Sequence, residues 1–348
     1  MATVPSTGSA GGALDVPGGR EALYQFAQAW QLPVCVAFRR HDLFPNSHPL
    51  FVGDLGLANP ALQIEQLHQS DLILALGTRL DDITSQNFSF PCYPQPEQPL
   101  VHCHPDPRVL GLHFATEVGL ACQPKSLLQA IEPLPTGPVL YPDTRRAWLQ
   151  QLRRTHEAIA AWPQRVAADG VRFFEVVRHL RSLASADLRL CLDAGTFAAP
   201  VYRHFGFDWP QRLMAPLSGA MGYGVPAAIA TALREPQHPV VCMVGDGGFM
   251  MTGNEMILAL ERQLPIVFIV ANNGSYGSIR IHQDRAYPGR HPGTDLHNPD
   301  FAALARGFGM TAQTVDNEGQ IESVLRRALS AQAPTFIEVK TSLQVTLP

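Results

Sequence analysis

No apolar run in these 348 residues approaches the roughly 20 that a membrane-spanning helix requires, so the sequence gives no reason to expect a membrane partner. Strong charge of either sign is also missing. The formal net charge is −4, which gives no electrostatic ground for nucleic acid or an anionic surface. The first 19 residues are rich in Gly, Ser, Thr and Pro, and lack the charged start and apolar middle of a secretory signal. Among the six cysteines (Cys35, Cys92, Cys103, Cys122, Cys191 and Cys242) there is no C-x-x-C pair, and most sit inside apolar runs. Buried, reduced thiols in a cytoplasmic protein are the expectation. Charged residues make up only 16% against 46% hydrophobic, the balance of a well-buried chain of about two domains rather than a disordered one.

What is present is concentrated between Val240 and Ile279. Two apolar runs, Val240–Val244 and Ile266–Ala271, have the length and β-branched content of buried parallel strands. The first ends in Gly245-Asp246-Gly247 and the second in Asn272-Asn273-Gly274. Between them, Thr252 and Glu255 have capping-box spacing ahead of Met256, Leu258, Ala259 and Leu260, which predicts one helix. A right-handed crossover puts both strand ends at the same edge of one sheet, so Asp246 and Asn273 can converge. A charged and a neutral oxygen there suit Mg²⁺, which takes about six oxygen ligands, commonly one or two side chains plus phosphates and water. The turn after Asn273 can add a main-chain carbonyl, that of Ser275. Gly247 and Gly248 remove Cβ atoms where a phosphate would approach backbone N–H groups. A dinucleotide site is disfavoured, because GDGGFMMTGN lacks G-x-G-x-x-G spacing and no acidic residue ends the next strand.

This segment resembles the diphosphate-and-magnesium signature of thiamine diphosphate (ThDP) enzymes, GDG followed some two dozen residues later by NN. Its flanks are similar to the acetolactate synthase and benzoylformate decarboxylase branch, in Ser218-Gly219-Ala220-Met221-Gly222-Tyr223-Gly224-Val225-Pro226-Ala227-Ala228 and in Asp193-Ala194-Gly195-Thr196-Phe197. The resemblance implies Asp246, Asn273 and the Ser275 carbonyl as magnesium ligands. It implies Gly195, Thr196, Phe197, Gly247, Gly248, Tyr276 and Gly277 as neighbours of the diphosphate. Met221 would prop the cofactor into its bent shape, and the Gly219 carbonyl would accept a hydrogen bond from the aminopyrimidine. The implied activity is 2-oxo acid decarboxylation or carboligation, with a 2-oxo acid or aldehyde as substrate and a homo-oligomer as the working form.

Boundaries follow from composition. Residues 1–19 read as a flexible segment, 20–132 as a central Rossmann-like domain, 133–143 as a linker within the proline-rich run Glu132–Asp143, and 144–348 as the diphosphate-binding domain. Both domains are expected to be α/β, with doubly wound and mainly parallel sheets. In the first, helices are predicted at Arg20–Trp30, Pro60–Gln69 and Pro124–Ile131, and strands at Pro33–Phe38, Asp71–Leu76 and Pro99–Cys103. No strand is expected before Arg20. FAD, which some relatives hold in this domain, is not expected, because His102-Cys103-His104 replaces the family's acidic run. His102 and His104 share a strand face, a possible metal pair without further ligands in view. The resemblance lacks the pyrimidine-binding domain that carries the family's catalytic glutamate. The chain therefore reads as the C-terminal part of such an enzyme, incomplete as a catalyst alone, or as one subunit of a split enzyme with that domain on a separate chain. A non-catalytic ThDP- or nucleotide-binding or assembly module is the alternative. The polar stretch Arg280–Pro299 reads as an irregular loop whose Arg280, His282, Gln283 and Arg290 could face a substrate.

Overall fold

The computed structural model describes residues 6–131 and 143–345, and most of the expected linker lies outside them. The chain divides into two compact units, 1–161 and 162–348.

The first unit holds one parallel sheet of strands β1 (Ser6–Ala10), β2 (Val34–Ala37), β3 (Phe51–Leu55), β4 (Leu72–Leu76), β5 (Leu100–Cys103) and β6 (Val118–Leu120), in the order β3-β2-β1-β4-β5-β6. Its helices are α1 (Gly19–Trp30), α2 (Ala61–His68), α3 (Pro124–Ala130) and α4 (Asp143–Ala160). Two expectations need correction here. The segment read as flexible contains β1, which pairs with both β2 and β4 at the centre of the sheet. It escapes a hydrophobic pattern because STGSA carries no large apolar side chain; small residues suffice where Ser9 and Ala10 are buried between neighbouring strands. Helix α4, assigned by composition to the second unit, packs on the first. Trp148 and Leu152 join the core beside Val52 and Leu67, and Arg153 donates to the carbonyls of Asn46, His48 and Phe51.

The second unit repeats the architecture with β7 (Arg189–Leu192), β8 (Arg212–Met214), β9 (Val240–Gly245), β10 (Ile266–Asn272), β11 (Thr311–Val315) and β12 (Thr335–Lys340), all parallel, in the order β11-β12-β10-β9-β7-β8. Its helices are α5 (Phe173–Leu183), α6 (Gly224–Arg234), α7 (Asp246–Thr252), α8 (Met256–Glu261), α9 (Gly277–Ala286), α10 (Phe301–Gly307) and α11 (Ile321–Ser330). The period of two along β9 shows why this sheet is covered on both faces. Val241 and Met243 enter the core with α5 and α11, whereas Val240, Cys242 and Val244 enter the one with α6, α8 and α10. After β7 the chain runs outward to β8, then crosses back so that β9 lies on the other side of β7. The order therefore reverses between β7 and β9, the place where open α/β sheets leave a crevice at the strand carboxyl ends.

The helix expected after β9 begins earlier than the capping box implied. Helix α7 starts at Asp246 itself, and Thr252 lies at its end, where the hydroxyl donates to the Gly222 carbonyl at 2.8 Å instead of capping a new helix. The tertiary contact outweighs the local signal. Likewise, Arg280–Ala286 belongs to α9 rather than to an irregular loop.

Candidate functional site

A cavity of about 210 Å³ opens at the carboxyl ends of β7, β9 and β10, and the twelve positions named above for the cation and the cofactor line it: Gly195, Thr196, Phe197, Gly219, Met221, Asp246, Gly247, Gly248, Asn273, Ser275, Tyr276 and Gly277. Four connections deliver them. The turn after β7 brings residues 195–197, and the loop before α6 brings Gly219 and Met221. The first turn of α7 brings residues 246–248, and the segment from β10 into α9 brings residues 273–277.

Close packing explains the glycines. A Cβ on Gly247 would stand 2.6 Å from the Tyr276 ring, and one on Gly248 would stand 2.9 Å from Asp193 Oδ2. Gly274 turns the chain out of β10 at φ +65°, a conformation that side chains with a Cβ rarely adopt. Its N–H donates to Asp246 Oδ2 at 2.8 Å.

Asp246 is 3% exposed. Burial pushes its carboxyl above the ordinary aspartate range, against the hydrogen bonds it accepts from the Gly247 amide, the Asn298 carboxamide and the Gly274 amide. A divalent cation would reverse the burial effect by favouring the ionised form. Asn273 Oδ1 accepts the Ser275 amide at 3.0 Å, and the Ser275 carbonyl accepts the Gly277 amide at 2.8 Å. Each of these oxygens keeps a second lone pair. The donor set is one carboxylate, one carboxamide and one carbonyl. All are hard oxygens, which fits Mg²⁺ and would be a poor match for a soft metal.

Two further residues take part to which the sequence assigns no role. Asn298, in the loop before α10, donates from Nδ2 to Asp246 Oδ2 at 2.8 Å and to Asn272 Oδ1 at 2.9 Å. Asn272 in turn donates to the buried Glu338 at 2.7 Å, so the carboxylate of Asp246 is braced through a polar chain that reaches β12. Nothing in an irregular polar loop announces that contact. Asp193, fully buried, accepts the backbone amides of Gly222 at 2.9 Å and Gly224 at 3.2 Å, which ties the Met221 loop to the turn after β7. Burial raises its pKa as well, opposed by those amides and that of Ala194.

The four residues expected to face a substrate do not line the cavity; Ser278 and Ile279, at the start of α9, do. Arg280 pairs with Asp295 at 2.8 Å, and the Arg290 guanidinium lies 5.6 Å from the Tyr287 ring centre. Elsewhere, His102 Nε2 is 2.9 Å from the Thr78 carbonyl and His104 Nδ1 is 3.1 Å from the Asp106 amide, so the two imidazoles face separate backbone partners. A second cavity of about 330 Å³ beside β11, β12 and α11 gathers no comparable set of polar groups.

Residues 193–339 match the model of the C-terminal TPP-binding domain of thiamine pyrophosphate enzymes, and residues 9–131 match that of their central domain. The chain is 29% identical over 89% of its length to an acetolactate synthase large subunit of Haemophilus influenzae, covering 54% of that protein. It is 28% identical over 92% of its length to the acetolactate synthase isozyme 3 large subunit of Escherichia coli, covering 56% of it. A probable sulfoacetaldehyde acetyltransferase of Rhizobium meliloti is 27% identical over 92% of the chain, with 58% of that protein covered. The chain thus spans a little over half the length of these relatives. Among solved structures, a thiamine diphosphate-dependent 4-hydroxybenzoylformate decarboxylase of Rhodococcus jostii RHA1 superposes with a TM-score of 0.76 at 22% identity, over 97% of this chain and 61% of that one, a likeness of fold.

Proposed function

Since this chain belongs to the thiamine pyrophosphate enzymes, carrying their central and C-terminal TPP-binding domains, we propose that the cleft between β7 and β9 holds the diphosphate of ThDP through Mg²⁺, as part of an acetolactate-synthase-like enzyme acting on a 2-oxo acid. The observation that carries this reading is the convergence of a buried carboxylate, a carboxamide and a carbonyl with two adjacent glycines on one crevice. When bound, ThDP supplies an electron sink for making or breaking a C–C bond beside a carbonyl. Asp246, Asn273 and the Ser275 carbonyl hold the cation. Gly247 and Gly248 admit phosphate oxygens close to the backbone. Met221, 36% exposed on the cleft wall, supports the cofactor between its ends, and the Gly219 carbonyl accepts from the aminopyrimidine.

Among the described residues no glutamate lines the cleft, so the carboxylate that exchanges a proton with the aminopyrimidine is assigned to a segment or chain beyond them. Chain 1–348 assayed alone is expected to bind ThDP and turn over negligibly. Exposed apolar side chains of the second unit support assembly with a second copy, among them Met250 on α7 at 56% exposure and Ile279 on the cleft wall at 51%. The test is Asp246→Ala, which removes the only charged ligand that the protein offers the cation. Titrations of Mg²⁺ into chain plus ThDP should lose their signal in this variant, and equal affinity in variant and wild type would refute the assignment.

A further inference from the structure

The first unit brings three different ligand types together. A ring nitrogen of His68 at the end of α2, Cys92 Sγ in the loop after β4, and a carboxylate oxygen of Glu97 all lie within 4.8 Å of one another. His68 Nδ1 is buried without a hydrogen-bond partner, and its nearest acidic neighbour is Glu97 at 3.8 Å. Phe90 holds the ring edge-on, with centres 4.9 Å apart, and Gln98 Nε2 donates to the His68 carbonyl at 2.6 Å. The loop itself is fixed by backbone bonds from Asn87 to Asp82, Ser89 to Ser85 and Tyr93 to Phe88. Two of the three ligands therefore sit on pinned backbone. The third, the Glu97 side chain, is 69% exposed and can swing by the small distance that closure requires.

With the Glu97 side chain drawn in, a nitrogen, a sulfur and an oxygen here suit a tetrahedral ion with bonds of about 2.0–2.3 Å and one position left for water. The thiolate selects against Mg²⁺ and Ca²⁺, which take oxygen. We propose that His68, Cys92 and Glu97 bind a divalent cation of the Zn²⁺ class that clips the loop after β4 to the end of α2. No catalytic role follows from this. The ion would act as a staple, stabilising the first unit by binding the folded form alone.

Cobalt(II) makes the site visible, since a thiolate ligand gives a charge-transfer absorption that oxygen ligands at Asp246 cannot produce. Co²⁺ is titrated into the reduced full chain, into Cys92→Ser, and into Cys103→Ser as a control for the Cys103–Cys122 pair, whose sulfurs are 3.6 Å apart. The band should appear in the wild type and in Cys103→Ser and be lost in Cys92→Ser, with far-UV circular dichroism confirming that the metal-free variants are folded. His68→Ala and Glu97→Gln should each weaken Co²⁺ binding while leaving the fold intact. Absence of the band from the wild type, its persistence in Cys92→Ser, its loss only in Cys103→Ser, or unchanged Co²⁺ affinity in both His68→Ala and Glu97→Gln would overturn the proposal. None of these results bears on the ThDP cleft.

Discussion

The two units share one architecture and treat the same place in it differently. In the first, the chain leaving β1 is pressed onto the end of β4. The Gly11 amide donates to the Leu76 carbonyl at 2.8 Å, and a Cβ on Gly11 would stand 2.3 Å from Thr78 Cα. The protein's own charges fill the neighbourhood, with Arg20 between Asp15 and Asp42 and Arg40 reaching Asp15 at 3.2 Å. In the second, the equivalent crevice between β7 and β9 stays open and is lined by glycines and a carboxylate with no cationic side chain among its lining residues. Fold alone thus decides little. What decides is whether the crevice is closed by intramolecular pairs or left with unneutralised oxygen facing a space.

That contrast can be broken from either side. Gly11→Ala should have the largest effect, because the new methyl meets backbone rather than a movable side chain. Thermal or denaturant unfolding should show a loss of about 3 kcal/mol confined to the first unit, with ThDP binding by the second unchanged. Asp193→Asn should come next, at about 2 kcal/mol, since one of the loop amides now faced by Asp193 would meet a competing donor. Its pH dependence has a definite sign. Burial raises the native pKa of Asp193, so its contribution is fully present below the ordinary aspartate value near about 3.9 and is lost as pH rises through the raised native value. Wild type should therefore lose stability relative to Asp193→Asn across that window, and parallel curves would contradict the burial argument.

Asn298→Ala sharpens the comparison at the open site. It leaves the cation's proposed ligands in place and removes only the brace on Asp246, so Mg²⁺ affinity measured by calorimetry should fall about 10- to 100-fold while the melting temperature of the metal-free chain changes little. The smallest effect is expected for Arg40→Ala. Its pair with Asp15 is partly exposed, so stability should change by less than about 1 kcal/mol, and a larger loss would show that charge closes the first crevice more than packing does.

The open crevice is far more legible in the sequence than the closed one. Asp246 and Asn273 end long β-branched strands, so strand periodicity and turn chemistry agree on where they lie. β1 carries only small residues, and its identity as a strand comes from partners more than twenty residues away. β3 escapes the sequence pattern for a related reason, as Gly53-Asp54 interrupts its apolar run. Thr252 and Glu255 mislead because a capping signal is worth about 1 kcal/mol and yields to a helix already begun at Asp246. Asn298 carries no local signal, and Asp193 stands in a legible motif without its role showing, because their hydrogen bonds span 52 and 29 residues and no short-range pattern records them.

The central claim, that the second unit presents a magnesium-dependent diphosphate site, is tested most directly by calorimetric titration of ThDP into the purified chain, once with Mg²⁺ and once with EDTA. The account predicts heat of binding with Mg²⁺ and none with EDTA. Equal binding under both conditions would contradict the role given to Asp246 and Asn273, and no binding under either would contradict the claim that this cleft is preformed for the cofactor.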